Sequence, residues 1–328
     1  MIDAYMHVGE PRFGTAAEAL GTCDAWGIDK TVLVLGPGVP DIAALVQAQH
    51  ARPDRVRAIG IPYGETEAQR LVCAEACWAA GAIGFRLQQD EPRENPTLMA
   101  ELGARGGWAY ATDPLAGERH TAFYLEWLAR YPRARIGAPH FLSTNVSRLD
   151  DELAEQLLKH PRFHAIFSRH GQKGSACPYP HPDLRPWVER TLAWCGWDRV
   201  LWGSEYPVLY WRGERIDEAR AWLGTLRIVM TEAERAAYLG GNAARLFFQD
   251  AAPAVQEPVL HDGLRTLPEW LRNYPRTRRV QIAPTGPFEL PPEVYAPLLS
   301  AYVRRNRPEA SLTFVEFLAE QLRAALNG

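Results

Sequence analysis

Eight short apolar runs, each followed by a helix-like stretch, constrain this chain most. They lie at 2–8, 31–36, 56–62, 82–87, 107–112, 134–141, 163–168 and 199–204. Most are continuous rather than alternating, as strands covered on both faces must be. Helix-like stretches separate them near 15–26, 40–52, 65–80, 94–105, 118–131, 149–160, 183–196 and 214–227, with Gly, Pro, Asp or Asn in the connectors. Thr231 to Glu234 has the capping-box pattern and opens a further helix. Eight strand–helix units over about 250 residues predict an α/β fold, a (β/α)8 TIM barrel over residues 1–248. A doubly wound sheet is the alternative, but no Gly-rich fingerprint follows the first strand.

The character of the sequence changes after Phe248. Residues 249–258, QDAAPAVQEP, read as a linker, and 259–328 as a small C-terminal α+β module. Its pattern gives a short helix at 267–274, a strand at 279–283 and helices at 292–305 and 313–326, an order reminiscent of a winged helix. A cut near residue 250 is expected to leave the barrel folded.

Composition excludes several classes of partner. A net charge of -3 over 328 residues offers no basic field for nucleic acid. No stretch approaches the roughly 20 apolar residues that cross a bilayer, and the first residues lack the pattern of a signal peptide. Five cysteines without a CxxC pair give neither a zinc ribbon nor a disulfide framework, so a reducing cytoplasm is expected. Arginine is so abundant (lysine occurs only at 30, 159 and 173) that a lone arginine says little about function.

In a barrel of this kind the site lies at the C-terminal ends of the strands. Strand 1 ends in Tyr5 and His7, which are two apart and share a face. Strand 4 ends in Arg86, strand 5 in Tyr110 and Thr112, and strand 6 in His140. Strand 7 ends in Ser168 and His170, and Glu205 follows strand 8 in GSEYP. Arg93 lies in the loop after strand 4. The long loop 169–182 either closes over substrate, with His170 on it, or carries surface histidines.

Asp3-Ala4-Tyr5-Met6-His7 resembles the Asp-x-His-x-His signature of the amidohydrolase superfamily, in its amidohydrolase-2 branch. The likeness continues through GAIGFRL on strand 4, His140, DRVLWGSEYP and GGNAARLF, and so covers residues 1–248. Three positions depart from the metal-binding members. Tyr5 replaces the first histidine, strand 5 has no histidine, and Glu205 replaces the strand-8 aspartate. A catalytic zinc needs three protein ligands, and only His7 and Glu205 stand at the usual positions. The resemblance therefore points to the branch that works without metal, which includes lactonases of 2-pyrone-4,6-dicarboxylate.

That likeness implies a hydrolase opening a lactone or similar activated carbonyl of a small carboxylated substrate, without a cofactor. Glu205 is then the general base. His7 and His140 donate to the developing oxyanion, and Tyr5 binds the same oxygen or orients Glu205. Arg86 and Arg93 hold a substrate carboxylate through paired hydrogen bonds, with Tyr110 and His170 also at the substrate. Two other readings stay open. One is a hydrolase or decarboxylase that keeps a divalent metal such as zinc on altered ligands. The other is an inactive barrel serving as a binding or scaffold subunit, with 259–328 contacting a peptide, a protein or a second copy.

Overall fold

A computed structural model describes residues 1–10, 12–143, 148, 150–169, 175–257, 280–281, 289–290 and 292–327. The eight runs form eight strands: β1 (Ile2–Val8), β2 (Lys30–Leu35), β3 (Val56–Gly60), β4 (Ala82–Leu87), β5 (Trp108–Ala111), β6 (Arg135–Ala138), β7 (Phe163–Phe167) and β8 (Val200–Trp202). Their order in the sheet is their order in the chain. Each pairs with the next in parallel. With the intervening helices this is the expected (β/α)8 barrel.

Side chains alternate across the sheet although both faces are apolar. Val32 and Val34 of β2 face the inner core with Ala4, Ile59, Tyr110, Ile166 and Leu201. Leu33 and Leu35 belong to the outer core, under the helices. At the N-terminal end of the strands, the foot, Phe247 packs against Trp108 with ring centroids 4.6 Å apart. Three helices start with reciprocal capping boxes, Thr15 with Glu18, Thr66 with Gln69 and Thr231 with Glu234. A cap of this kind is worth about 0.5–2 kcal/mol.

The seam between the first and last strands closes at the opposite end, the mouth. Glu205 N–H donates to Tyr5 O at 2.8 Å, and His7 N–H to Tyr206 O at 2.7 Å. Beneath them Asp3 Oδ1 accepts from the N–H groups of Tyr5 (2.9 Å) and Ser204 (3.1 Å). The β1–β2 register slips between Asp3 and Met6, where this carboxylate takes over from the ladder.

Two further helices, Pro292–Arg305 and Phe314–Asn327, pack on the barrel. Tyr295, Leu299, Tyr302, Phe314 and Phe317 are buried in one core with Tyr210 and Trp211, which follow β8. Trp211 Nε1–H donates to Tyr295 Oη. The rings of Tyr302 and Tyr210 are 4.7 Å apart. Val280–Gln281 pairs antiparallel with Glu289–Leu290. The helix expected at 267–274 lies outside the described residues.

Candidate active site

The mouth is built from backbone that side chains rarely adopt. His140, Arg169 and Glu205 have φ of 59°, 54° and 57°, and Phe141 and Leu142 continue the turn at 49° and 61°. Left-handed non-glycine residues cost about 1–3 kcal/mol each and persist only where their surroundings hold them. Here His140 N–H donates to Ser168 Oγ at 2.9 Å, and the seam bond holds Glu205. This is also why β6 stops at Ala138 rather than running on to 141.

Glu205 is fully buried and accepts from three side chains. Arg169 forks onto both oxygens, with Nε 3.0 Å from Oε2. Arg212 Nη1 reaches Oε2 at 2.8 Å, and His140 Nε2 lies 3.0 Å from Oε1. Arg212 turns its remaining N–H groups to Glu214, two bonds of 2.8 Å each. Burial alone raises a carboxyl pKa. Arg169, then Arg212 and His140, outweigh it and hold Glu205 well below the usual range.

The two imidazoles are neutral for a shared reason. Burial, reinforced by Arg86, pushes the pKa of His7 well down. Burial and Arg169 bring that of His140 to about 3. His7 Nδ1 is 3.0 Å from Val34 O, and a carbonyl only accepts, so Nδ1 carries the hydrogen and Nε2 the lone pair. The ionised Glu205 likewise places the His140 hydrogen on Nε2. Neither imidazole has a hydrogen free for an oxyanion, contrary to the role read from sequence. Two other donors do. Tyr5 Oη accepts from Arg86 Nε at 3.0 Å and lies 3.1 Å from His140 Nε2, leaving its own hydrogen to give. Burial raises the Tyr5 pKa and keeps that hydrogen on. Arg86 Nη1 is buried without a partner among the described residues.

One ligand atom each from His7, His140 and Glu205 lies within 4.8 Å of the others, the spacing of a metal site. The donor chemistry fits a cation poorly. His140 Nε2 and both Glu205 oxygens are engaged, the latter by two guanidinium groups, which leaves His7 Nε2 as the one unencumbered ligand of the three.

Of the residues singled out from sequence, Glu205, His7, His140, Tyr5 and Arg86 come together. Tyr110 is buried below them and donates from its hydroxyl to Ala4 O at 3.2 Å. Arg93 is exposed on the short helix Glu91–Glu94. His170 lies outside the described residues. Sequence reading missed Arg169, Arg212 and Asp3, whose carboxyl burial lifts to about 7. The positions of Arg169, at a strand end, and Arg212, seven residues after Glu205, were the available signal.

A family model described as amidohydrolase matches residues 3–249. An L-fucono-1,5-lactonase from Burkholderia ambifaria is 30% identical over an alignment of 173 positions that covers 49% of this chain and 58% of that protein. A candidate 2-pyrone-4,6-dicarboxylic acid hydrolase from Pseudomonas putida superposes at a TM-score of 0.57 with 20% identity, over 76% of this chain and 98% of the other. A dihydroxybenzoic acid decarboxylase from Polaromonas sp. JS666, solved with manganese and 2-nitroresorcinol, gives a TM-score of 0.51 and 15% identity over 75% and 96%. These two structures share the fold. No helix among the described residues is long and apolar enough to cross a membrane.

Proposed function

This chain belongs to the amidohydrolase family, and from that premise we propose that it hydrolyses a lactone of a small carboxylated molecule without a metal. The observation that carries this reading is the charge at the mouth. Arg169 and Arg212 pair with Glu205 and Glu214, and Arg86 adds a further positive charge on the Tyr5 hydroxyl, so the site favours an anion over a divalent cation. The lactonase relative supports the type of bond broken.

A His7 nitrogen and a Glu205 oxygen lie within 4.8 Å of each other, close enough for one water to donate to both. With both hydrogens so directed, its lone pairs face the carbonyl. Attack forms a C–O bond, and the proton passes to Glu205. Tyr5 O–H and Arg86 Nη1 hold the oxyanion. Collapse breaks the ring C–O bond, and Glu205 returns the proton to the leaving alkoxide, giving a hydroxy acid.

Glu205 is a weak base while Arg169 is on it. Arg169 is 21% exposed whereas Arg212 is 2% exposed, so a substrate carboxylate reaches Arg169 first. Taking that fork removes one counter-charge and raises the basicity of Glu205 when substrate is present. A turnover screen over lactones with and without a carboxylate, on chelator-treated protein, tests the proposal. Turnover confined to the neutral lactones, or none until metal is added back, would overturn it.

A metal-dependent hydrolase or decarboxylase is the second reading. It is favoured by the bond from His7 Nδ1–H to Val34 O, the orientation common among metal-bound histidines. One equivalent of zinc or manganese in protein purified without chelator, with activity that follows it, would establish that reading instead.

A further inference from the structure

One apolar side chain stands against the site without a part in the chemistry above. The loop after β1 folds back on itself, Gly9 N–H donating to Gly14 O (2.9 Å) and Phe13 N–H to Gly9 O (2.8 Å). That turn lays the buried Phe13 ring on the imidazole of His7, with centroids 4.6 Å and planes 30° apart. The ring fits there because residue 36, just after β2, is glycine. A Cβ on Gly36 would stand 1.9 Å from one Phe13 ring carbon and 2.2 Å from the next. No side chain tolerates such contacts, and a ring packed on its faces has little room to yield.

His7 needs such a neighbour. Its bond to Val34 O fixes Nδ1, but one hydrogen bond leaves the ring free to swing about it. Tyr5 meets the imidazole nearly edge-on at 4.8 Å, and Phe13 lies along its face. Between them they set where the Nε2 lone pair points. Phe13 is braced in turn. Trp211 stacks on it at 5.7 Å with planes 18° apart, and Trp211 Nε1–H donates to Tyr295 Oη. A Cβ on Gly14 would stand 3.4 Å from Leu299 Cδ2, so the loop meets the same helix one turn further on. That helix, Pro292–Arg305, lies beyond the family match at 3–249.

We propose that Phe13 is a positioning residue for His7, seated in the space left by Gly36 and braced by the C-terminal helix through Trp211 and Tyr295. It acts through the imidazole and makes no bond to substrate. The proposal rests on the hydrolase reading above, in which His7 Nε2 accepts from the attacking water. It gives the helix Pro292–Arg305 a part in the reaction, that of keeping one acceptor in line. An acceptor displaced by about 1 Å costs on the order of 10²-fold in rate.

Phe13→Leu keeps an apolar side chain and loses the flat face. On a carboxylated lactone kcat should fall about 10²-fold with KM nearly constant, since substrate contacts are untouched. Gly36→Ala should give the same loss by driving the ring off His7. The double variant should lose no more than either alone, because both changes act through one contact. Losses that multiply, to about 10⁴, or that fall on KM, overturn the proposal. Should Phe13→Leu melt below the assay temperature, Phe13→Met asks the same question with a more adaptable side chain. Tyr295→Phe should lower kcat a few-fold, and an unchanged kcat overturns the part given to the helix. Heteronuclear NMR of the imidazole nitrogens reads the same device without turnover. Wild-type His7 should show the Nδ1–H tautomer, assigned by its loss in His7→Gln. Phe13→Leu and Gly36→Ala should both move its Nε2 signal while that of the buried His164 on β7 stays in place. His7 signals unmoved in both variants overturn the proposal. Signals that move in a protein with no lactone turnover would count against the hydrolase reading alone.

Discussion

The foot and the mouth of the barrel each hold a buried histidine, and the two are locally alike. His164 at the foot places Nδ1 3.2 Å from Ile136 O, on the preceding strand. His7 at the mouth places its Nδ1 3.0 Å from Val34 O, on the following strand. Burial drives both pKa values down, that of His164 to about 3. The difference lies in what surrounds the ring. His164 packs at 5.1 Å from Trp108, which packs on Phe247. His7 shares a 4.8 Å triangle with His140 and Glu205. A buried imidazole is therefore no sign of chemistry by itself; its neighbours decide.

The largest effect should come from ending the chain at residue 257. That keeps the foot intact, including the bond from Arg57 Nη2 to Asp250 O at 2.8 Å. It strips the C-terminal helices from Tyr210 and Trp211 near the mouth. Newly exposed aromatic surface drives association, so the shortened protein should precipitate or melt well below the full chain. Calorimetry showing an unchanged melting temperature would instead support the separate module expected from sequence.

Next comes the carboxylate. Glu205→Gln removes the basic oxygen, and kcat should fall by about 10²–10⁴ with KM nearly constant. His164→Gln at the foot should leave kcat within a few-fold of wild type. Similar losses in both variants would erase the contrast between the two ends. Arg86→Met removes an oxyanion donor, so kcat should fall by roughly 10²–10³ while KM for a carboxylated lactone stays nearly constant. A rise in KM alone would move Arg86 from the oxyanion to substrate binding.

The smallest effect concerns acid stability. His164 has a folded pKa of about 3 against 6.5 when unfolded. Unfolding takes up a proton between those values, so its contribution is complete above pH 6.5 and is lost progressively as pH falls toward 3. The slope is about 1.4 kcal/mol per pH unit. Denaturant titrations of His164→Gln should show a stability curve flatter by that amount across the window. An identical slope would mean that the foot histidine takes up its proton while folded.

All eight strands were legible because each lies between the inner core and the helices and so reads as one apolar run. Their ends were harder. The run 134–141 stays apolar past Ala138, and nothing in it announces that His140, Phe141 and Leu142 turn left-handed. The stretch 94–105 opens instead with two helices, Glu91–Glu94 and Pro96–Ala104, divided at Asn95. His7, His140, Tyr5 and Glu205 were visible because strand ends converge. Their hydrogens were not, since Val34 O and the ionised Glu205 assign them in three dimensions. Arg169 and Arg212 were hidden by the abundance of arginine, which made each look like background.

The seam has a consequence for how the chain matures. Tyr5 meets Glu205, and Asp3 meets Ser204 across a sequence separation of 201 residues. Contacts so distant form late, because the loop between them must close first. Neighbouring strands can pair as they emerge during synthesis, but the triangle of His7, His140 and Glu205 waits for the last strand to find the first. A nascent chain halted before β8 would hold most of the barrel and none of its chemistry.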